Sequence, residues 1–112
     1  MTSQVSYPPV TDDVLTEAVR RMTAVGNPQR IILFGSWARR AGRADSDLDL
    51  LVVEESDLPR YRRAARYLQA LIGLFPDIDL VVWTPEEIEA WAQVPTAFIT
   101  TAIREGSTLY AR

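Results

Sequence analysis

The 112-residue chain contains no cysteine, no histidine and no lysine. Without cysteine there are no disulfides, zinc fingers, thiolate nucleophiles or iron–sulfur clusters. Without histidine, Ser-His-Asp triads, imidazole general bases and His-ligated metals are excluded. Without lysine there is neither Schiff-base chemistry nor a P-loop amine, and all twelve cations are arginine. Any bound metal must therefore sit among oxygen donors, which selects hard cations such as Mg²⁺ or Mn²⁺. Positive charge is also scarce. Twelve basic residues face fifteen acidic ones for a net charge of −3, a balance unsuited to direct nucleic-acid binding by counterion release. The apolar runs are too short to span a bilayer, and the N-terminal MTSQVSYPPV has neither a basic nor an apolar leader region. A cytoplasmic protein without membrane association is expected.

What is present is enough for one core, since 47% of the residues are hydrophobic. Residues 1–10, with Pro8-Pro9, read as an extended arm, and residues 11–112 as a single domain. Thr11 is a candidate N-cap for a helix carrying Val14, Leu15, Ala18, Met22 and Val25 and ending at Gly26. Residues 30–34, RIILF, predict a buried strand, and a short helix is expected from Ser36 to Arg40. A second strand is expected from Asp47 to Glu54. A long helix capped by Asp57 should follow, with Tyr61, Ala65, Leu68 and Ile72 as its apolar stripe. Residues 78–83 predict a third strand, and Thr84-Pro85 with Glu86 and Glu87 a capped helix. A last helix is expected over 96–104, with Trp91, Phe98 and Ile99 in the core, before an extended tail at 107–110. The order implies an α/β (α+β) domain with a mixed sheet of three to four strands flanked by helices.

The chemistry concentrates between residues 34 and 50. Asp47 and Asp49 are two apart on a strand and share a face, while Leu48 and Leu50 point to the core. Two carboxylates so close repel unless a cation lies between them. Asp79 repeats the Asp-Leu pattern on the third strand. If the strands are neighbours, the three carboxylates converge as a two-metal site for phosphoryl chemistry would require. Asp77 is the rival third carboxylate, though Pro76 makes it a turn residue. The alternative is a solvent-facing strand with incidental aspartates, which the depletion of Asp in strands disfavours. Gly35-Ser36, at a strand end and helix start, suits a phosphate cradle, with Arg39 or Arg40 and then Arg43 following. An N-cap serine with solvated arginines is the other reading of the same residues. Trp37 offers a ring on which a nucleobase could stack.

Ser36 and Asp47 are separated by ten residues, giving Gly-Ser-x10-Asp-x-Asp. This spacing resembles the signature of the polymerase-β-like nucleotidyltransferase superfamily. The fuller pattern Gly-Ser-x-Ala-Arg…Ser-Asp-x-Asp-Leu, with Ile-Asp-Leu-Val-Val and the C-terminal Ile103 to Tyr110, resembles the minimal nucleotidyltransferase (MNT) family over residues 11–111. The resemblance implies that fold and transfer of a nucleoside monophosphate from an NTP to a hydroxyl. It implies Asp47 and Asp49 as ligands of two Mg²⁺ ions (or Mn²⁺), and Asp79 as ligand of the nucleophile-side ion that helps deprotonate the acceptor. Gly35 and Ser36 would hold the β- and γ-phosphates, with Arg39 assisting.

Members of that family are often antitoxins paired with a HEPN-domain RNase toxin encoded by the neighbouring gene. The resemblance then implies transfer of AMP from ATP to a toxin tyrosine, in a type VII-like toxin–antitoxin pair. A non-catalytic antitoxin that neutralises by binding, and a transferase acting on a small molecule, are the alternatives. The expected absence of an acceptor domain disfavours the second. Arg60, Arg62, Arg63 and Arg66 form a basic cluster whose simplest reading is a solvated helix face.

Overall fold

The computed structural model describes residues 11–35, 48–75, 77–94 and 97–112. The predicted N-terminal arm, the helix expected from Ser36, and the candidates Ser36, Trp37, Arg39, Arg40, Arg43 and Asp47 lie outside these residues.

Helix α1 spans Asp12–Val25. The Thr11 hydroxyl accepts from the Val14 N–H at 3.4 Å, Asp12 and Asp13 sit at the positive end of the helix dipole, and the Gly26 N–H closes the last turn on the Met22 carbonyl. Strands β1 (Arg30–Phe34) and β2 (Leu48–Val53) follow. Two short helices come next, α2 (Arg60–Arg63) and α3 (Ala65–Ala70), then β3 (Ile78–Trp83). Helices α4 (Pro85–Trp91) and α5 (Phe98–Glu105) precede β4 (Ser107–Ala111). At α4 the sequence signal is realised in full. Thr84 and Glu87 form a reciprocal capping box, and Pro85 takes a first-turn position that needs no N–H donor.

The four strands form one mixed sheet in the order β3-β2-β1-β4. β1 pairs antiparallel with β2 and with β4, whereas β2 and β3 are parallel and joined through α2 and α3. Such a parallel pair needs a crossover, which those helices supply. The central strands are buried on both faces. Ile31, Leu33, Leu48, Leu50 and Val52 pack with Ala18 and Met22 of α1 and with Tyr67, Leu71 and Leu74. On the opposite face, Ile32 and Leu51 pack against Ile99 and Ala102 of α5.

The segment expected as one long helix differs from expectation in two ways. It is two short helices meeting at Ala64, and its first N-cap position is Pro59, not Asp57. Its buried side is also not the stripe of Tyr61, Ala65, Leu68 and Ile72. Tyr61 is 85% exposed and Ile72 74% exposed, while Tyr67, Leu71 and Leu74 are buried. The reason is a polar partner. The Tyr67 hydroxyl donates to the buried carboxylate of Glu54, which also pairs with Arg66, so this tyrosine enters the core without losing its hydrogen bond.

The arginine cluster is also more engaged than a solvated face. Arg63 donates to Glu87 at 2.7 Å and to the carbonyls of Leu58 and Val82. Arg60 reaches Glu87 and lies 4.1 Å over the Trp83 ring. Only Arg62 of the four points to solvent with no ion pair among the described residues.

Candidate active site

Three segments end at one edge of the fold: the C-terminus of β1 and the N-termini of β2 and β3. Because β2 and β3 are parallel, their second residues come into register, and Asp49 lies directly beside Asp79. Neighbouring strands are about 4.8 Å apart, and side chains at paired positions share a face. Both aspartates therefore project to the side that carries α4 and α5, together with Leu51, Val81 and Trp83 further along. Leu48, Leu50 and Leu80 project to the other side and are buried. The alternation places apolar groups in the core and two carboxylates on the opposite surface, Asp49 half-buried and Asp79 exposed.

β1 delivers the third component. Phe34 pairs with Asp49, and Gly35 follows it with φ +75°. That left-handed backbone favours glycine. A second constraint acts on the same atom, since a Cβ at Gly35 would collide with Oδ2 of Asp49. The strand end thus lies against the carboxylate, which would have to move for any side chain at 35.

Of the sequence candidates, the structure brings together Gly35, Asp49 and Asp79. Asp77 precedes β3, where its carbonyl accepts from the Leu48 N–H at 3.1 Å, and its side chain belongs to the exposed turn. Among the described residues no group of three acidic side chains is arranged to hold a metal. The pair of Asp49 and Asp79 supplies carboxylate oxygens, the donor type that Mg²⁺ or Mn²⁺ takes.

Sequence reasoning missed the wall beside this pair. Phe98 and Trp91 are not core residues; they are 53% and 46% exposed, while Ile99 is buried as expected. Phe98 meets Phe34 edge-on, with ring centroids 5.3 Å apart. Together with Gly35, Thr101, Ala102 and Glu105 these rings line a cleft of about 250 Å³. The signal was the helical spacing of 98, 101 and 105, a second face of α5 beside the core face of Ile99 and Ala102.

The nucleotidyltransferase domain family matches residues 13–105 of the chain. A solved structure described as a toxin–antitoxin with AMP-PNP superimposes with a TM-score of 0.53 and 23% identity, covering 92% of this chain and 75% of that one. At that identity the likeness establishes the fold. No curated protein matches the chain. No helix among the described residues is long and apolar enough to cross a membrane.

Proposed function

Since the chain belongs to the nucleotidyltransferase domain family, we propose that it transfers AMP from ATP to a hydroxyl of a partner protein, as the antitoxin of a toxin–antitoxin pair. The observation that carries the reading is the in-register pair of Asp49 and Asp79, with the backbone of Gly35 pressed against it. Two carboxylates at paired positions of adjacent strands, one residue from a strand-ending glycine, give a concentrated set of oxygen donors. A phosphoryl-transfer site uses such a set.

In this reading Asp47, Asp49 and Asp79 would hold Mg²⁺, two ions being what the resemblance implies. The metal supplies charge neutralisation of the triphosphate. Gly35 and Ser36 donate backbone N–H groups to the β- and γ-phosphates, and Arg39 neutralises them. Asp79 accepts the proton of the acceptor hydroxyl, whose oxygen then attacks the α-phosphorus. The new P–O bond forms as the bond to pyrophosphate breaks, and pyrophosphate leaves. With no histidine in the chain, a carboxylate is the general base at hand.

Similarity to a toxin–antitoxin with AMP-PNP supports both the partner class and the nucleotide. The resemblance to minimal nucleotidyltransferases adds a HEPN toxin as the acceptor and tyrosine as the modified residue. The test is intact-mass measurement of the toxin encoded beside this chain after incubation with the chain, Mg²⁺ and ATP. An adenylyl increment that disappears with Asp49→Asn is the expected result. A stable complex without any mass change would replace transfer by neutralisation through binding.

A further inference from the structure

We infer that the cleft between the end of β1 and α5 is the nucleobase pocket, and that it selects bases carrying an exocyclic amine over uracil. This rests on the nucleotidyltransferase reading and deepens it by naming what reads the base.

Position comes first. Phe34 is the strand partner of Asp49, and Gly35, one residue on, lines both the carboxylate site and the cleft. A nucleotide whose phosphates lie at the aspartates needs only its ribose to cross Gly35 for the base to enter. Size agrees. At about 250 Å³ the cleft lies below the range of pockets that enclose whole drug-sized ligands, and suits one heteroaromatic portion of a larger molecule.

The lining then gives the chemistry. Phe34 and Phe98 meet edge-on at 75° and Phe98 is about half exposed, so the cleft wall presents aromatic surface of the kind on which a flat π-system stacks. The polar groups are the Thr101 hydroxyl and the Glu105 carboxylate. Arg104 approaches Glu105 only to 4.0 Å, and both side chains are at least half exposed, so that pair is loose. An ionised carboxylate only accepts hydrogen bonds. The N6 amine of adenine and the N4 amine of cytosine donate to it, and the N2 amine of guanine can do so too. Uracil carries a 4-oxo group where cytosine has its amine, so it turns lone pairs toward the carboxylate there and offers it only the neighbouring N3–H.

The test is calorimetric titration of the full chain, with Mg²⁺, by ATP, CTP, UTP and inorganic tripolyphosphate. Phe98→Leu preserves apolar bulk on α5 while removing the ring, and Glu105→Gln removes the charge while keeping the shape. The expected result is that Phe98→Leu weakens ATP binding about tenfold, within the range of base–aromatic stacking, and leaves tripolyphosphate unchanged. UTP should bind weakest to the wild type, and Glu105→Gln should narrow the gap between ATP and UTP. Equal loss for ATP and tripolyphosphate in Phe98→Leu would overturn the pocket. So would unchanged ATP affinity combined with a raised KM for the protein acceptor, which would give the cleft to the acceptor instead. Wild-type binding of ATP, CTP and UTP no tighter than tripolyphosphate overturns the pocket, and equal binding of ATP and UTP overturns the selectivity; both leave the transferase reading standing. Failure to bind any triphosphate overturns the pocket and the transferase reading together.

Discussion

Gly35 and Asp49 approach so closely across the β1–β2 pair that the Cβ of any other residue at 35 would occupy the place of an Asp49 carboxylate oxygen. Gly35→Ala therefore has two costs. The left-handed φ of +75° strains an alanine by about 1–2 kcal/mol, and the methyl group displaces the carboxylate. Transfer should fall at least tenfold while circular dichroism shows the fold retained. Unchanged activity would mean that the Asp49 carboxylate has no fixed place in the reaction.

Asp49→Asn combined with Asp79→Asn should abolish transfer. Wild type should gain thermal stability on addition of Mg²⁺ and the double variant should not. Thermal denaturation with and without Mg²⁺ checks the second point.

Glu87 governs part of the acid stability. The Arg63 guanidinium, then the Thr84 N–H and Arg60, hold its carboxyl at about 2, below its ordinary 4.5. The folded state keeps this charge at a pH where the unfolded chain takes up a proton. The contribution is therefore complete above about pH 4.5 and disappears as pH falls through about 2. Denaturation profiles of wild type should slope across that window, and those of Glu87→Gln should be flatter there.

Tyr67 acts at the other end of the pH scale. Burial first, and its bond to the Glu54 carboxylate second, raise its hydroxyl well above the ordinary tyrosine value of 10. The stability this provides is full below pH 10 and is lost as alkali ionises the unfolded chain first. Tyr67→Phe should flatten the alkaline slope. At neutral pH it should cost about 1–3 kcal/mol, by leaving buried Glu54 short of one donor. Gly26→Ala should be destabilising for a related reason, since a Cβ there would strike the Tyr67 hydroxyl.

Leu71→Ala should cost about 2–5 kcal/mol, whereas Tyr61→Ser and Ile72→Ser should each change stability by no more than about 0.5 kcal/mol. Chemical denaturation of the three variants would reveal which apolar stripe of the α2–α3 segment is the inner one.

That segment marks the limit of what the sequence discloses. Signals complete within a few residues were legible: the Thr11 cap, the Thr84-Pro85-Glu87 box, the β-branched strands and the repeated Asp-Leu of β2 and β3. The inner face of α3 was not. It is decided by Glu54, thirteen residues before Tyr67, whose carboxylate accepts from the Tyr67 hydroxyl. The candidate site divides in the same way. Its aspartates and glycine could be named from spacing, but their register depends on β2 and β3 running parallel, and the contact of Gly35 with Asp49 depends on pairing across a loop. The cleft wall of Phe98, Thr101 and Glu105 was hidden because an aromatic followed by isoleucine suggests core packing.

The bond from Arg63 to the Val82 carbonyl has a consequence for the molecule's relations with its own copies. Among the described residues β3 is the outer strand of the sheet, and Ile78–Trp83 is six residues of largely apolar ribbon paired on one side. A terminal strand of this composition is a template for intermolecular pairing. Arg63 holds one of the carbonyls that an incoming strand would need, and Glu87 and Leu58 hold Arg63 in place. A helix arginine thereby occupies one backbone acceptor on the outer side of the strand that bears Asp79.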